Sequence, residues 1–171
     1  NKTELFKQYV DEARKNHAEF IIAYQHWGKM NSSEIKSAQR KTAEEMAEAG
    51  ADLIVASHPH LMQNYEILTT SDERMVPCAY SLGNFLTSMN EFSENRLGAV
   101  MCCKLHKSPK GKVSSAISFI PTISRDDASC GIKIGIAGGK ERERIAELLS
   151  ENARMIPSVP EPDVMLQGSV V

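Results

Sequence analysis

At 171 residues the chain can bury one full core and is too short for two generous domains. Its composition, 42% hydrophobic and 25% charged, is that of a globular protein and excludes disordered and collagen-like classes. With 20 basic and 22 acidic residues the net charge is -2, and no basic stripe runs along a predicted helix, so the chain has no electrostatic footprint for nucleic acid.

The opening TELFKQYVDEARKNH places Leu5, Phe6, Tyr9, Val10 and Ala13 on one stripe of an amphipathic helix. EFIIAYQ, residues 19 to 25, then reads as a short buried strand. A second helix is expected over residues 31 to 50, with Asn31 as its cap, Glu34 three residues on, and Gly50 just past its end. DLIVAS, residues 52 to 57, is continuous and β-branched and reads as a second buried strand, with Asp52 capping its start. Helix, strand, helix, strand is the order of parallel βαβ units.

From Gln63 onward the pattern turns antiparallel. NYEIL, MVPCAYSLGNF, LGAVMCCKLH and KVSSAISFIPTIS are strand-like runs, separated by TTSDER, by the SMNEFSENR loop and by the hairpin signal KSPKGK. A last amphipathic helix is expected over GKERERIAELLSENARM with Ile145, Leu148 and Leu149 inward, and the proline-rich tail IPSVPEPDVMLQGSVV is expected to lie extended or loose. Two buried parallel strands are too few for a sheet covered on both faces, so a preceding piece of the domain is expected. An incomplete sheet would also leave an edge open to self-association.

Cys78, Cys102, Cys103 and Cys130 form no C-x-x-C pair, and adjacent Cys102 and Cys103 point to opposite faces of their strand. They read as reduced structural thiols. No apolar run reaches the roughly 18 to 20 residues of a membrane span. NKTELFKQ has the pattern of neither a signal nor a transit peptide. SPKGK and GIAGGK lack the spacing of a phosphate-binding loop.

Chemistry-bearing residues gather after the two buried strands. In parallel α/β architectures the loops beyond the strands' carboxyl ends share one edge of the sheet. The first strand runs into His26-Trp27-Gly28 and the second into His58-Pro59-His60. Three imidazoles on one edge suit a zinc-, manganese- or iron-type ion, whereas a lone His-x-His is more often a strand-ending turn or a surface pair. Trp27 reads as a packing anchor before a substrate stacker. Glu66 stands in a run whose alternate residues face solvent. His17 suits a helix C-terminus, and His106 lies near a loop.

AYQHWG, AQRKTAEEMAEAGADLIVASHPHLMQNYE and YSLGNF, in this order, resemble the bacterial capsule-synthesis CapA family, the poly-gamma-glutamate capsule biosynthesis proteins. That family is similar in fold to the calcineurin-like metallophosphatases. The resemblance covers residues from about Tyr9 to Asp126. It implies a layered α/β/β/α sandwich, with residues 1–137 as the C-terminal portion of the domain and 138–171 as a helix and tail. It implies further that His26, His58 and His60 coordinate divalent metal, with Gln63 and Glu66 orienting them and with Trp27, Ser81, Gly83 and Asn84 bordering the same cleft. The activity implied is metal-assisted hydrolysis or transfer on an anionic polymer or phosphorylated substrate, by an extracytoplasmic, membrane-anchored protein. Met30 stands where the family carries an acidic residue, and the segments that would supply the acidic half of the site have no counterpart here. This departure fits an alternative, a non-catalytic polymer-binding or assembly component with a degenerate site.

Overall fold

The computed structural model describes residues 2–150 together with Ala153 and Met155. Among these residues three helices and two sheets make a mixed α/β fold. In chain order the elements are α1 (Lys2–Lys15), β1 (Ile22–His26), α2 (Ser37–Glu48), β2 (Leu53–Ser57), β3 (Met62–Thr69) and β4 (Met75–Leu82). A 3-10 turn (Ser93–Arg96), β5 (Leu97–Lys107), β6 (Val113–Asp127), β7 (Gly131–Ile136) and α3 (Gly139–Leu149) complete it.

The first sheet has the order β1-β2-β4-β3. β1, β2 and β4 run parallel, and β3 returns antiparallel along β4. The antiparallel pattern expected from Gln63 onward is therefore present in the β3–β4 pair, while the parallel pairing of β4 with β2 is a non-local contact that sequence periodicity does not encode. The second sheet, β5-β6-β7, is antiparallel throughout. KSPKGK closes its first hairpin as expected, with the Ser108 N–H donating to Lys112 O at 2.9 Å. β7 was not singled out from the sequence, although Ile132, Ile134 and Ile136 alternate along it.

Two apolar clusters hold these layers. Ala43, Met46 and Ala47 of α2 pack with Ala23, Ile54, Val76, Cys78 and Tyr80 on one face of the first sheet, and Phe6 of α1 leans on them. On the other face Tyr65 and Ala79 meet Leu97, Ala99, Phe119 and Ile123 of the second sheet and Ile145 and Leu149 of α3. The inward face of α3 is thus as expected, but the helix ends at Leu149, and Ser150 takes φ +107° beside it. The expected extended tail, residues 156–171, lies outside the described residues.

Three local expectations are corrected. β1 starts at Ile22 rather than residue 19 and is not buried on both faces: Ile22 and Tyr24 are 57% and 65% exposed. Among the described residues it is an edge strand, and none of its residues joins the second cluster. On α1, Val10 is buried but Leu5 and Tyr9 stay exposed, lining a groove with Phe6, Gln25 and Met46. α2 begins at Ser37, because Asn31 sits in the left-handed region at φ +56° and gives its N–H to Pro59 O at 2.7 Å. Gly50, at φ +110°, does follow the end of α2 as expected.

The sheets are joined at Gly83 and Gly98, whose backbones form a bridge. A Cβ on Gly98 would lie 2.2 Å from Asn84 O, and one on Gly83 would lie 2.5 Å from Leu97 O. Only glycine permits that approach.

Candidate functional site

Because β1 and β2 pair in parallel with His26 opposite Ser57, both chains leave the sheet at the same edge. His26 is the last residue of β1 and His58 follows β2 directly. Their ring centroids are 4.5 Å apart, and the His58 and His60 centroids 6.4 Å apart. His26 is exposed and the other two are half-buried. The juxtaposition expected from strand grammar is thus present in the fold.

The turn that carries the pair is strained. His58 has φ +103° and His60 φ +58°, in a region that side-chain-bearing residues rarely adopt. Three asparagines hold it. Asn84 Nδ2 donates to His60 O at 3.2 Å and to Asn95 O at 3.0 Å. Asn95 Nδ2 donates to the same His60 O at 3.1 Å and to Asn31 Oδ1 at 3.2 Å. The two carbonyl acceptors fix which way the Asn84 amide faces, so its Oδ1 is the atom 2.9 Å from His60 Nδ1. An oxygen there requires the proton on Nδ1. Neutral His60 therefore keeps a bare lone pair on Nε2, the arrangement by which a hydrogen-bonded imidazole is oriented to act as base or ligand.

Of the remaining expected site residues, Asn84 alone touches a histidine through a described hydrogen bond. Trp27 stacks on Tyr80 at 5.6 Å and donates from Nε1 to Tyr80 O at 3.0 Å, which makes it a packing anchor. Gln63 is buried and serves the strap before α2: Nε2 donates to Ser32 O and Glu34 O, both at 3.0 Å, and Oε1 accepts from Gln39 Nε2 at 2.9 Å. Gln39 Oε1 in turn accepts from Lys36 N–H at 3.0 Å and closes the first turn of α2. Glu66 accepts from Tyr80 O–H at 2.6 Å and pairs with Arg40 at 2.5 and 2.7 Å. Ser81 is buried in β4, where its Oγ accepts from Gly83 N–H at 3.3 Å. Asp52 does more than cap: it accepts from Ile21 N–H at 2.7 Å and pairs with Arg14, tying α1 to the start of β1.

Among the described residues no three of His, Cys, Asp and Glu are grouped so as to hold a metal ion. Three neutral imidazoles carry no charge to offset a dication, and Met30 is exposed where an acid was expected. By themselves the residues present do not fit a divalent ion. The carboxylate that hydrogen bonds bring to this loop cluster is Glu91, which accepts from Asn31 Nδ2 at 2.5 Å. Asn31, Glu91 and Asn95 were not singled out by sequence. The one available signal, the tolerance of asparagine for the left-handed region, reads locally as a helix cap.

Comparison with known proteins matches residues 1–89 to the model of the bacterial capsule synthesis protein family PGA_cap. The PGA biosynthesis protein CapA of Bacillus subtilis (strain 168) is 32% identical over 109 residues, which cover 64% of this chain and 27% of that protein. The capsule biosynthesis protein CapA of Bacillus anthracis is 32% identical over 88 residues, covering 50% of this chain and 20% of that protein. The match therefore spans about a quarter or less of the length of these curated relatives.

Proposed function

Since the chain belongs to the bacterial capsule synthesis protein family PGA_cap, we propose that it acts in capsule biosynthesis at the bacterial cell surface, on an anionic polymer of the poly-gamma-glutamate type. In this reading the edge formed by His26, His58 and His60 supplies the nitrogen donors of a metal-dependent, phosphatase-like site. The acidic donors would come from parts of the whole protein outside the described residues. The observation that carries it is the orientation of His60: Asn84 holds Nδ1 at 2.9 Å and leaves Nε2 free beside the His26–His58 pair. A turn serving only to end β2 needs neither two left-handed histidines nor a fixed tautomer. Among the described residues one edge of β1 is unpaired, with Ile22 and Tyr24 exposed, which supports a sheet completed by further polypeptide.

The second reading, a polymer-binding or assembly component without catalysis, is favoured by the absence of a grouped carboxylate among the described residues and by Met30. Metal analysis of the full-length protein separates the two. About one to two divalent ions per chain, lost on His58→Ala with His60→Ala, support the first. Metal content unchanged by the substitutions, or absent from the start, supports the second.

A further inference from the structure

Asn95 stands apart from the other loop residues of this edge. It lies in the 3-10 turn Ser93–Arg96, is completely buried, and has every polar atom of its side chain engaged. Oδ1 accepts from Phe92 N–H at 2.9 Å, and Nδ2 donates to His60 O and to Asn31 Oδ1. Its own carbonyl accepts from Asn84 Nδ2, one of the two bonds that decide which way the Asn84 amide faces. One buried residue thus connects three loops: its side-chain amide reaches the strap after β1 through Asn31 and the histidine turn through the His60 carbonyl, and its backbone carbonyl reaches the segment after β4 through Asn84.

We infer that Asn95 is a positioning residue for His60, setting through Asn84 the Nδ1-protonated tautomer and through the His60 carbonyl the left-handed backbone that presents Nε2. The physical reason is reciprocity. Two amides converge on the His60 carbonyl and use both of its lone pairs, and the Asn95 carbonyl holds the second hydrogen of Asn84, so the Asn84 oxygen has only the imidazole to face. Without the Asn95 side chain the 3-10 turn keeps only the backbone bond from Asn95 N–H to Phe92 O at 3.0 Å, its carbonyl is held less firmly, and the Asn84 amide is freer to rotate. Asn31 braces the same amide from the other side, which extends the device to the strap that also binds Glu91. The inference deepens the proposal above, resting on its premise that His60 acts through Nε2.

The test is a long-range nitrogen–proton correlation spectrum of the His60 ring in the full chain at about pH 8. The wild type should show His60 protonated on Nδ1 alone, and Asn84→Ala should abolish that preference and so validate the readout. Asn95→Ser should shift the ring to a mixture dominated by the Nε2-protonated form, and Asn31→Ala to a mixture with a smaller share of it. If Asn95→Ser does not fold, Asn31→Ala at its half-buried position decides alone. A His60 ring that stays wholly Nδ1-protonated in the folded variants overturns the inference. Loss of metal on His60→Ala is a separate measurement, so failure of the metal-site reading would leave the tautomer result standing.

Discussion

His58 has its backbone at φ +103°, and that angle predicts an inverted ranking of two substitutions. In ordinary φ/ψ space glycine is less stable than alanine by roughly 0.5–1 kcal/mol, because it releases more backbone entropy on unfolding. At φ near +100° the Cβ of alanine clashes with the backbone, and a strained residue of this kind costs of order 1–3 kcal/mol that glycine avoids. Both His58→Ala and His58→Gly lose the same imidazole and the same 4.5 Å contact with His26, so these losses cancel between them. The remainder favours glycine by about 1 kcal/mol. For a chain of this size that is a higher melting temperature for His58→Gly than for His58→Ala by about 2–4 °C. Thermal unfolding followed by circular dichroism under one buffer condition measures it. Equal melting temperatures, or alanine above glycine, would refute the claim that the turn stores strain.

Glu66 offers a contrast, since its partners are Tyr80 and Arg40. Glu66→Ala should cost about 2–3 kcal/mol by stranding a buried phenol and a stacked guanidinium, with the metal content of the full-length protein unchanged; a loss of metal would return Glu66 to the histidine site. Gly98→Ala drives a Cβ to 2.2 Å from Asn84 O and should destabilise by about 3 kcal/mol while displacing Asn84 from His60, read as a lowered urea midpoint together with loss of the His60 tautomer preference. Burial pushes the Cys78 thiol from 9.0 up to about 12. The native chain then keeps a proton that the unfolded chain releases above pH 9.0, so this contribution is fully present below that pH. It is lost as pH rises toward 12, at roughly 1.4 kcal/mol per pH unit. Urea midpoints that do not fall between about pH 8 and 10 would contradict it. Native-state alkylation at about pH 8 should label exposed Cys130 and spare buried Cys78, as read by peptide mass spectrometry.

How much was legible in advance depended on whether a residue's role is local. DLIVAS announced a buried strand because its apolar run is continuous, and the position of His58 at its end followed from chain direction alone. KSPKGK announced a hairpin because turn chemistry is written in adjacent residues. Asn31 misled for the same reason: an asparagine three residues before a glutamate satisfies the local grammar of a helix cap, while its actual partners are Pro59, Glu91 and Asn95. Gln63 and Glu66 were placed beside the histidines by resemblance, but strand β3 carries them to Gln39 and Arg40 instead. Asn95 had no local signal, since its loop reads as polar filler until the fold brings it under His60.

The order of the strands bears on how the molecule assembles. β5 and β6 pair across a tight turn and need little loop closure, and β3 and β4 are nearly as local. β1 and β2 meet only after α2 has been spanned, and β2 and β4 only after β3 has turned back. Parallel contacts across such separations form late, because their chain entropy is lost before any pairing offsets it. The histidine edge, which exists only once β1 lies beside β2, should therefore be absent from the folding transition state. Substitutions at His26, His58 and His60 would then alter how fast the folded chain opens and leave its folding rate nearly untouched.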